Sequence, residues 1–179
     1  MRRNLSILAA TVLTGGLVST MAAPSNASGY WAVQDNFETN ASSVWNFSSS
    51  GNGFGDFGGY DGTAHSGTVY ATIYRFTAGW SAVGRTVHLT PMQLHTATCQ
   101  AQIYLQDWAG TQVNFEVINP STWTYVALKP ITIANSNWNA YQVGPWTGGP
   151  TDVYVRVAVG STGGFARVKV DDLTVACTY

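Results

Sequence analysis

Between Thr96 and Gln106 the chain alternates without a break. Ala97, Cys99, Ala101, Ile103 and Leu105 take one parity, and Thr98, Gln100, Gln102, Tyr104 and Gln106 the other. Successive side chains of an extended chain point to opposite faces, whereas a helix would scatter both sets around its axis. The segment is therefore a β-strand with one apolar face for a core. Its other face is unusual in kind, because a merely solvated face carries Lys, Glu and Thr. Three glutamines and a tyrosine offer uncharged planar donors and acceptors and a flat ring, groups that suit a neutral polyhydroxyl ligand.

The same period recurs along the chain. Alternation and β-branched content predict strands at 31–37, 44–48, 68–76, 82–90, 96–106, 111–118, 124–133, 138–144, 152–159 and 166–176. No segment holds a helical period. Short strands parted by Gly, Asn, Pro and Ser turns, with no crossover helices, predict an all-β fold, an antiparallel β-sandwich of the jelly-roll type. The stretch Gly51 to Gly62, with Phe54, Phe57 and Tyr60 threaded among glycines, reads as a loop that either folds over one end of the sandwich or stays mobile.

Export follows from the first residues. Arg2 and Arg3, a mostly apolar run from Leu5 to Val18 and small residues ending Ser25-Asn26-Ala27 make a secretory signal peptide over 1–27, with cleavage after Ala27. Gly15 and Gly16 break the run too early for a membrane span. Residues 28–179 are then a single domain, long enough to bury a core. The full chain carries a formal charge of −1, and loss of Arg2 and Arg3 with the leader takes it to −3. With so few and scattered basic residues, nucleic acid and anionic membrane surfaces are not expected partners. Cys99 shares the parity of Ile103 and Leu105, and Cys177 that of Leu173 and Val175, so both point into the core. In an exported chain the economical reading is a Cys99–Cys177 disulfide; the alternative is two buried thiols.

Other strands repeat the polar parity: Gln112, Asn114 and Glu116 oppose Val113, Phe115 and Val117, and Asp152, Tyr154 and Arg156 oppose Val153, Val155, Val157 and Val159. If these strands share a sheet with 96–106, then Gln102, Tyr104, Asn114, Tyr154 and Arg156 form one polar, tyrosine-bearing surface. The competing reading is an ordinary solvated sheet face. Among seven tryptophans, Trp108 and Trp146 fall in turn sequences and are the expected exposed rings. Trp31, Trp45 and Trp80 are expected to be structural, and Trp123, Tyr125 and Trp138 stay unassigned.

Catalysis finds little support. His65, His88 and His95 make no metal-binding spacing and no Gly-x-Ser-x-Gly elbow occurs. A facing carboxylate pair such as Asp107 with Glu116 is the one glycosidase option.

Asn36-Phe37-Glu38, Trp45, Ala64-His65-Ser66-Gly67, the run Trp80 to Val87 and Val170-Asp171-Asp172-Leu173-Thr174-Val175 follow one another in a familiar order. By them the chain resembles the jelly-roll carbohydrate-binding modules of the galactose-binding-like class, nearest to families 4, 9 and 22 and of the secreted actinobacterial type. The resemblance implies a non-catalytic sandwich that binds glycans in a groove on a concave face or in loops at its edge. It also implies a structural calcium ion held by Glu38 with Asp171, Asp172 or both; the alternative is that these are solvated strand-end carboxylates. The expectation is a secreted, monomeric, non-enzymatic protein binding a neutral polysaccharide. An extracellular protein-interaction module using residues 51–62, and a small glycan-active enzyme, are the alternatives.

Overall fold

The computed structural model describes residues 29–58, 63–89, 96–160 and 164–179; the leader 1–27, His95 and Tyr60 lie outside them. The strands are β1 (Tyr30–Asp35), β2 (Asn46–Phe57), β3 (Ala71–His88), β4 (Thr98–Gln106), β5 (Gln112–Asn119), β6 (Thr124–Thr132), β7 (Asn139–Thr147), β8 (Asp152–Val159) and β9 (Ala166–Thr178), with one helical turn, α1 (Ala41–Val44), between β1 and β2. All pairings are antiparallel, in the order β6-β5-β8-β3-β9-β4-β7, with β1 on β9 and β2 on β3. The predicted all-β sandwich is what forms.

Two of the expected strands are one. The segments 68–76 and 82–90 merge into β3, which pairs with β9 through Ala71 to Arg75 and with β8 through Ser81 to His88. The handover falls at Gly79, at φ +124°, a conformation that costs glycine nothing. There β3 leaves one layer of the sandwich and enters the other. Layer one is β6-β5-β8 with the second half of β3; layer two is the first half of β3 with β9, β4, β7 and β1.

The expected loop at 51–62 is also corrected. Residues through Phe57 form the second half of β2, with Phe54 opposite Tyr74 and Phe57 opposite Ala71; residues 59–62 lie outside the described residues. Glycine reads locally as a breaker, and here pairing along β3 overrides that preference.

The inward parity behaves as the alternation requires. Ala101, Ile103 and Leu105 from β4 meet Val153, Val155, Val157 and Val159 from β8 in a core where these side chains are fully buried. Burying each Ile, Leu or Val stabilises the fold by about 1.5–3 kcal/mol. Cys99 and Cys177 stand directly opposite each other on β4 and β9 and are joined as a disulfide. Trp45 stacks on Phe37 within the core.

Candidate functional site

Strand order settles the surface that parity left open. β4 pairs with β7 and β9, while β5 and β8 pair with each other in the other layer. Gln102 and Tyr104 therefore face away from Asn114, Tyr154 and Arg156, and the continuous five-residue surface does not exist. Each face is a separate candidate.

On layer two, Gln142 Nε2 donates to Gln102 Oε1 at 2.9 Å across β4 and β7. A shallow cavity of about 520 Å³ lies beside them, lined by Gln34, Gln102, Tyr104, Asp172 and Thr174 among others. Tyr104 is not a free platform, because the His65 imidazole stacks on its ring at 3.6 Å. The segment around His65 is clamped over this face: His65 N and Ser66 N donate to Asp171 Oδ2, Ser66 Oγ donates to Asp172, the His65 ring pairs with Asp172, and Trp138 Nε1 donates to Thr63 O.

The same clamp bears on calcium. Glu38 Oε1 accepts the Thr68 and Val69 N–H groups at 2.6 Å and Oε2 accepts Thr68 Oγ1; Asp171 Oδ1 accepts Asp172 N. All six oxygens of Glu38, Asp171 and Asp172 thus already bind protein groups, every one of Glu38 and Asp171 through an N–H or O–H donor. Among the described residues no three His, Cys, Asp or Glu side chains gather as a metal site. Calcium wants about six to eight oxygens turned toward one point, and this donor set does not fit that demand. The backbone bonds from Val69 and Thr68 hold the Glu38 pKa below its ordinary value. Burial pushes Asp171 up to about 6, against the backbone N–H bonds from Ser66, Asp172 and His65. The bulge in β9 opposite Gln102 and Tyr104 separates the two aspartates: Asp171 is wholly buried, and Asp172, at φ 47°, keeps some exposure.

Layer one presents a different chemistry. Residues directly opposite in a sheet point to the same side. The outer face thus carries Tyr125, Leu128 and Pro130 from β6, Ile118, Glu116 and Asn114 from β5, Tyr154 and Arg156 from β8, and Gly84 and Ala82 from β3. At its centre Arg156 Nε donates to Glu116 Oε2 at 2.6 Å and Nη2 approaches the same oxygen at 2.5 Å. Glu116 is only 2 % exposed, although it stands on the outward parity. The guanidinium lies 5.8 Å from the Trp80 ring, and on the other side Trp123 meets Tyr154 edge-on at 5.8 Å. Burial raises the Tyr154 pKa, partly opposed by Arg156. A Cβ on Gly84 would come within 2.8 Å of the Tyr154 ring and hydroxyl, so glycine is what lets that ring lie down on β3. Trp123, held at φ 55° in the β5–β6 turn, is 65 % exposed, and Tyr125 is 56 % exposed.

Sequence reasoning put Asn114, Tyr154 and Arg156 on one surface, which this face keeps together, and expected Trp108 as an exposed turn residue, where it is 66 % exposed. It missed Trp80, taken for a structural residue, together with Trp123, Tyr125 and the burial of Glu116. The parity of Trp80 with Ala82 and Gly84 was the available signal. Trp146 is corrected: it lies on β7, 6 % exposed and packed in the core. Of the carboxylate pair, Asp107 accepts Trp108 N and Arg167 N while Glu116 is bound to Arg156, so both are already hydrogen-bonded within the protein. Among the histidines, His88 pairs with Asp152 at the surface. No helix among the described residues is long and apolar enough to cross a membrane.

No family model matches the chain, and no curated protein does. Solved structures do. TmCBM61, in complex with β-1,4-galactotriose, superposes with a TM-score of 0.55 at 14 % identity, over 78 % of this chain and 92 % of that one. The C-terminal family 22 carbohydrate-binding module of Clostridium thermocellum Xyn10B gives 0.53 at 17 % identity, over 80 % and 91 %. The chain has the fold of these modules. The K2 cleaved adhesin domain of Lys-gingipain shares it as well, at 0.58 and 12 % identity over 81 % and 99 %. At such identities the likeness speaks to the fold, and the choice of function rests on the outer face of layer one.

Proposed function

We propose that this protein is a secreted, non-catalytic module that binds a neutral polysaccharide through the outer face of β3, β8, β5 and β6. The observation that carries the reading is the Arg156–Glu116 pair set between aromatic rings on the outer sheet face. Pyranose rings present an apolar C–H face and a rim of hydroxyls. Indole and phenol rings stack on the first, and a fixed guanidinium bonds the second. Among the described residues Arg156 donates to Glu116 alone, which leaves guanidinium N–H groups for a ligand. Mutual neutralisation of the pair means that an uncharged ligand is preferred. The sugar ligands named for the fold relatives, β-1,4-galactotriose for TmCBM61 and xylan for a family 22 domain, support this class.

Export by the leader fits the disulfide, and the monomer is retained as part of the reading. The test is retention of residues 28–179 on insoluble xylan, galactan, cellulose and mixed-linkage glucan. The account expects selective retention on at least one, weakened by Trp123→Ala with the melting curve unchanged. A protein-partner reading draws on a separate observation, the exposed rings of Phe54, Phe76 and Phe165, which touch in series at 5.7 and 5.4 Å. Absence of retention across the panel would shift the function to that stripe.

A further inference from the structure

A second feature adjoins the layer-one face. Past Asn114, which shares the outward parity of Glu116, the surface drops into a cavity of about 790 Å³ at the end of the sandwich. Trp108 from the β4–β5 turn and Phe165 from the segment before β9 line it, with Gln112, Asn114 and Thr132 supplying amides and a hydroxyl. Its volume lies within the usual range for small-molecule sites.

The cavity is built, not incidental. Trp108 N donates to Asp107 Oδ1 at 2.7 Å and Asp107 Oδ2 accepts Arg167 N, tying the turn to β9; Gly110 N bonds Ile133 O at 2.8 Å. Phe165 is braced between Phe76 at 5.4 Å and Trp108 at 6.4 Å. Arg75, 7 % exposed, donates from Nε and Nη2 to Gly164 O and from Nη1 to Gly160 O. Arg75 is the one charged residue lining the cavity among the described residues, and its guanidinium is hydrogen-bonded to those carbonyls. Apart from that hydrogen-bonded guanidinium, the wall is ring platforms, amides and a hydroxyl. It suits a neutral, hydroxyl-bearing ligand with apolar faces.

We propose that this cavity is a second saccharide-binding subsite continuous with the layer-one face, so that one glycan chain runs from Trp123 past Arg156 and Asn114 to Trp108. This rests on the polysaccharide reading above. From Gln112 to Ile118 the strand rises about 20 Å at ~3.4 Å per residue. The full track thus holds several sugar residues, and the face alone holds fewer.

The experiment is titration calorimetry with xylo-, cello- and β-1,4-galacto-oligosaccharides, from disaccharide to hexasaccharide, on the wild type, Trp108→Ala, Gln112→Ala and Trp123→Ala. For the series that binds, the proposal expects affinity to rise with chain length in the wild type. Trp108→Ala, at an exposed site, should lose about tenfold on the hexasaccharide, the size of one lost ring contact, and nothing on the disaccharide. Gln112→Ala should show the same pattern more weakly, and Trp123→Ala should lose affinity at every length. Equal losses in Trp108→Ala at all lengths, or none at any, would overturn the subsite while leaving the face reading intact. Absence of binding by the wild type to all three series would overturn both.

Discussion

Replacing Arg156 with methionine removes a guanidinium while keeping most of the aliphatic volume, and it strands Glu116. The Glu116 side chain keeps only 3 % of its accessibility and Arg156 keeps 18 %, so the carboxylate has little water to fall back on. Breaking a buried pair by removing one partner costs about 3–5 kcal/mol. Water reaching through the vacated arginine position puts this case near the lower end, about 3 kcal/mol. For a chain of this size that corresponds to a Tm fall of about 6–12 °C. Adding Glu116→Leu removes the orphaned charge, and an apolar pair in place of a buried ion pair is close to neutral, so most of the loss should return. Thermal melts of the wild type, both single variants and the double variant complete the cycle. Polysaccharide retention should be lost in the Arg156→Met and double variants alike, which separates the pair's role in binding from its role in stability. A loss below about 1 kcal/mol for Arg156→Met, or no recovery in the double variant, would refute the reasoning that Glu116 depends on this partner.

Removing the Cys99–Cys177 bridge by alanine at both positions releases a loop with a sequence separation of 78. The chain-entropy account puts that loss at about 4–5 kcal/mol, and a melt lowered by only a few degrees would contradict it. Chelation with EDTA should leave Tm unchanged, since the oxygens of Glu38, Asp171 and Asp172 already bind protein groups; a fall of several degrees would show a calcium staple there after all. Asp171, at about 6 against an ordinary 3.8, folds more favourably when protonated, so its penalty is full above about 6 and fades as pH falls toward 3.8. Glu38, held below 4.5, stabilises above that value and loses its contribution as pH falls through its lowered pKa. Denaturant melts should therefore show stability rising as pH drops from about 7 to about 5, with that rise absent in Asp171→Asn.

What the sequence made legible was whatever a period of two can carry. Alternation identified the core faces of β4, β5 and β8 and aimed Cys99 and Cys177 inward. It could not say which strands lie side by side, because pairing order depends on long-range contacts that parity does not encode. That gap split Gln102 and Tyr104 from Asn114, Tyr154 and Arg156. It also hid the burial of Glu116, which stands on a polar parity yet is covered by its partner and the neighbouring rings. Trp146 misled for a local reason: Gly144-Pro145 and Gly148-Gly149 read as turn signals, whereas the tryptophan continues β7 and its mass is drawn into the core. The glycines of 51–57 misled in the same way, since an edge strand tolerates them where a partner such as β3 supplies the ladder.

The most direct test of the central claim sets the two outer faces against each other on whichever polysaccharide the wild type binds. Trp123→Ala and Tyr125→Ala disarm layer one, Gln102→Ala and Gln142→Ala disarm layer two, and all four positions are exposed or half-buried. Loss of retention confined to the layer-one variants is the predicted result. Loss confined to the Gln102 and Gln142 variants, with full retention by Trp123→Ala and Tyr125→Ala, would place the sugar on the opposite face and contradict the account.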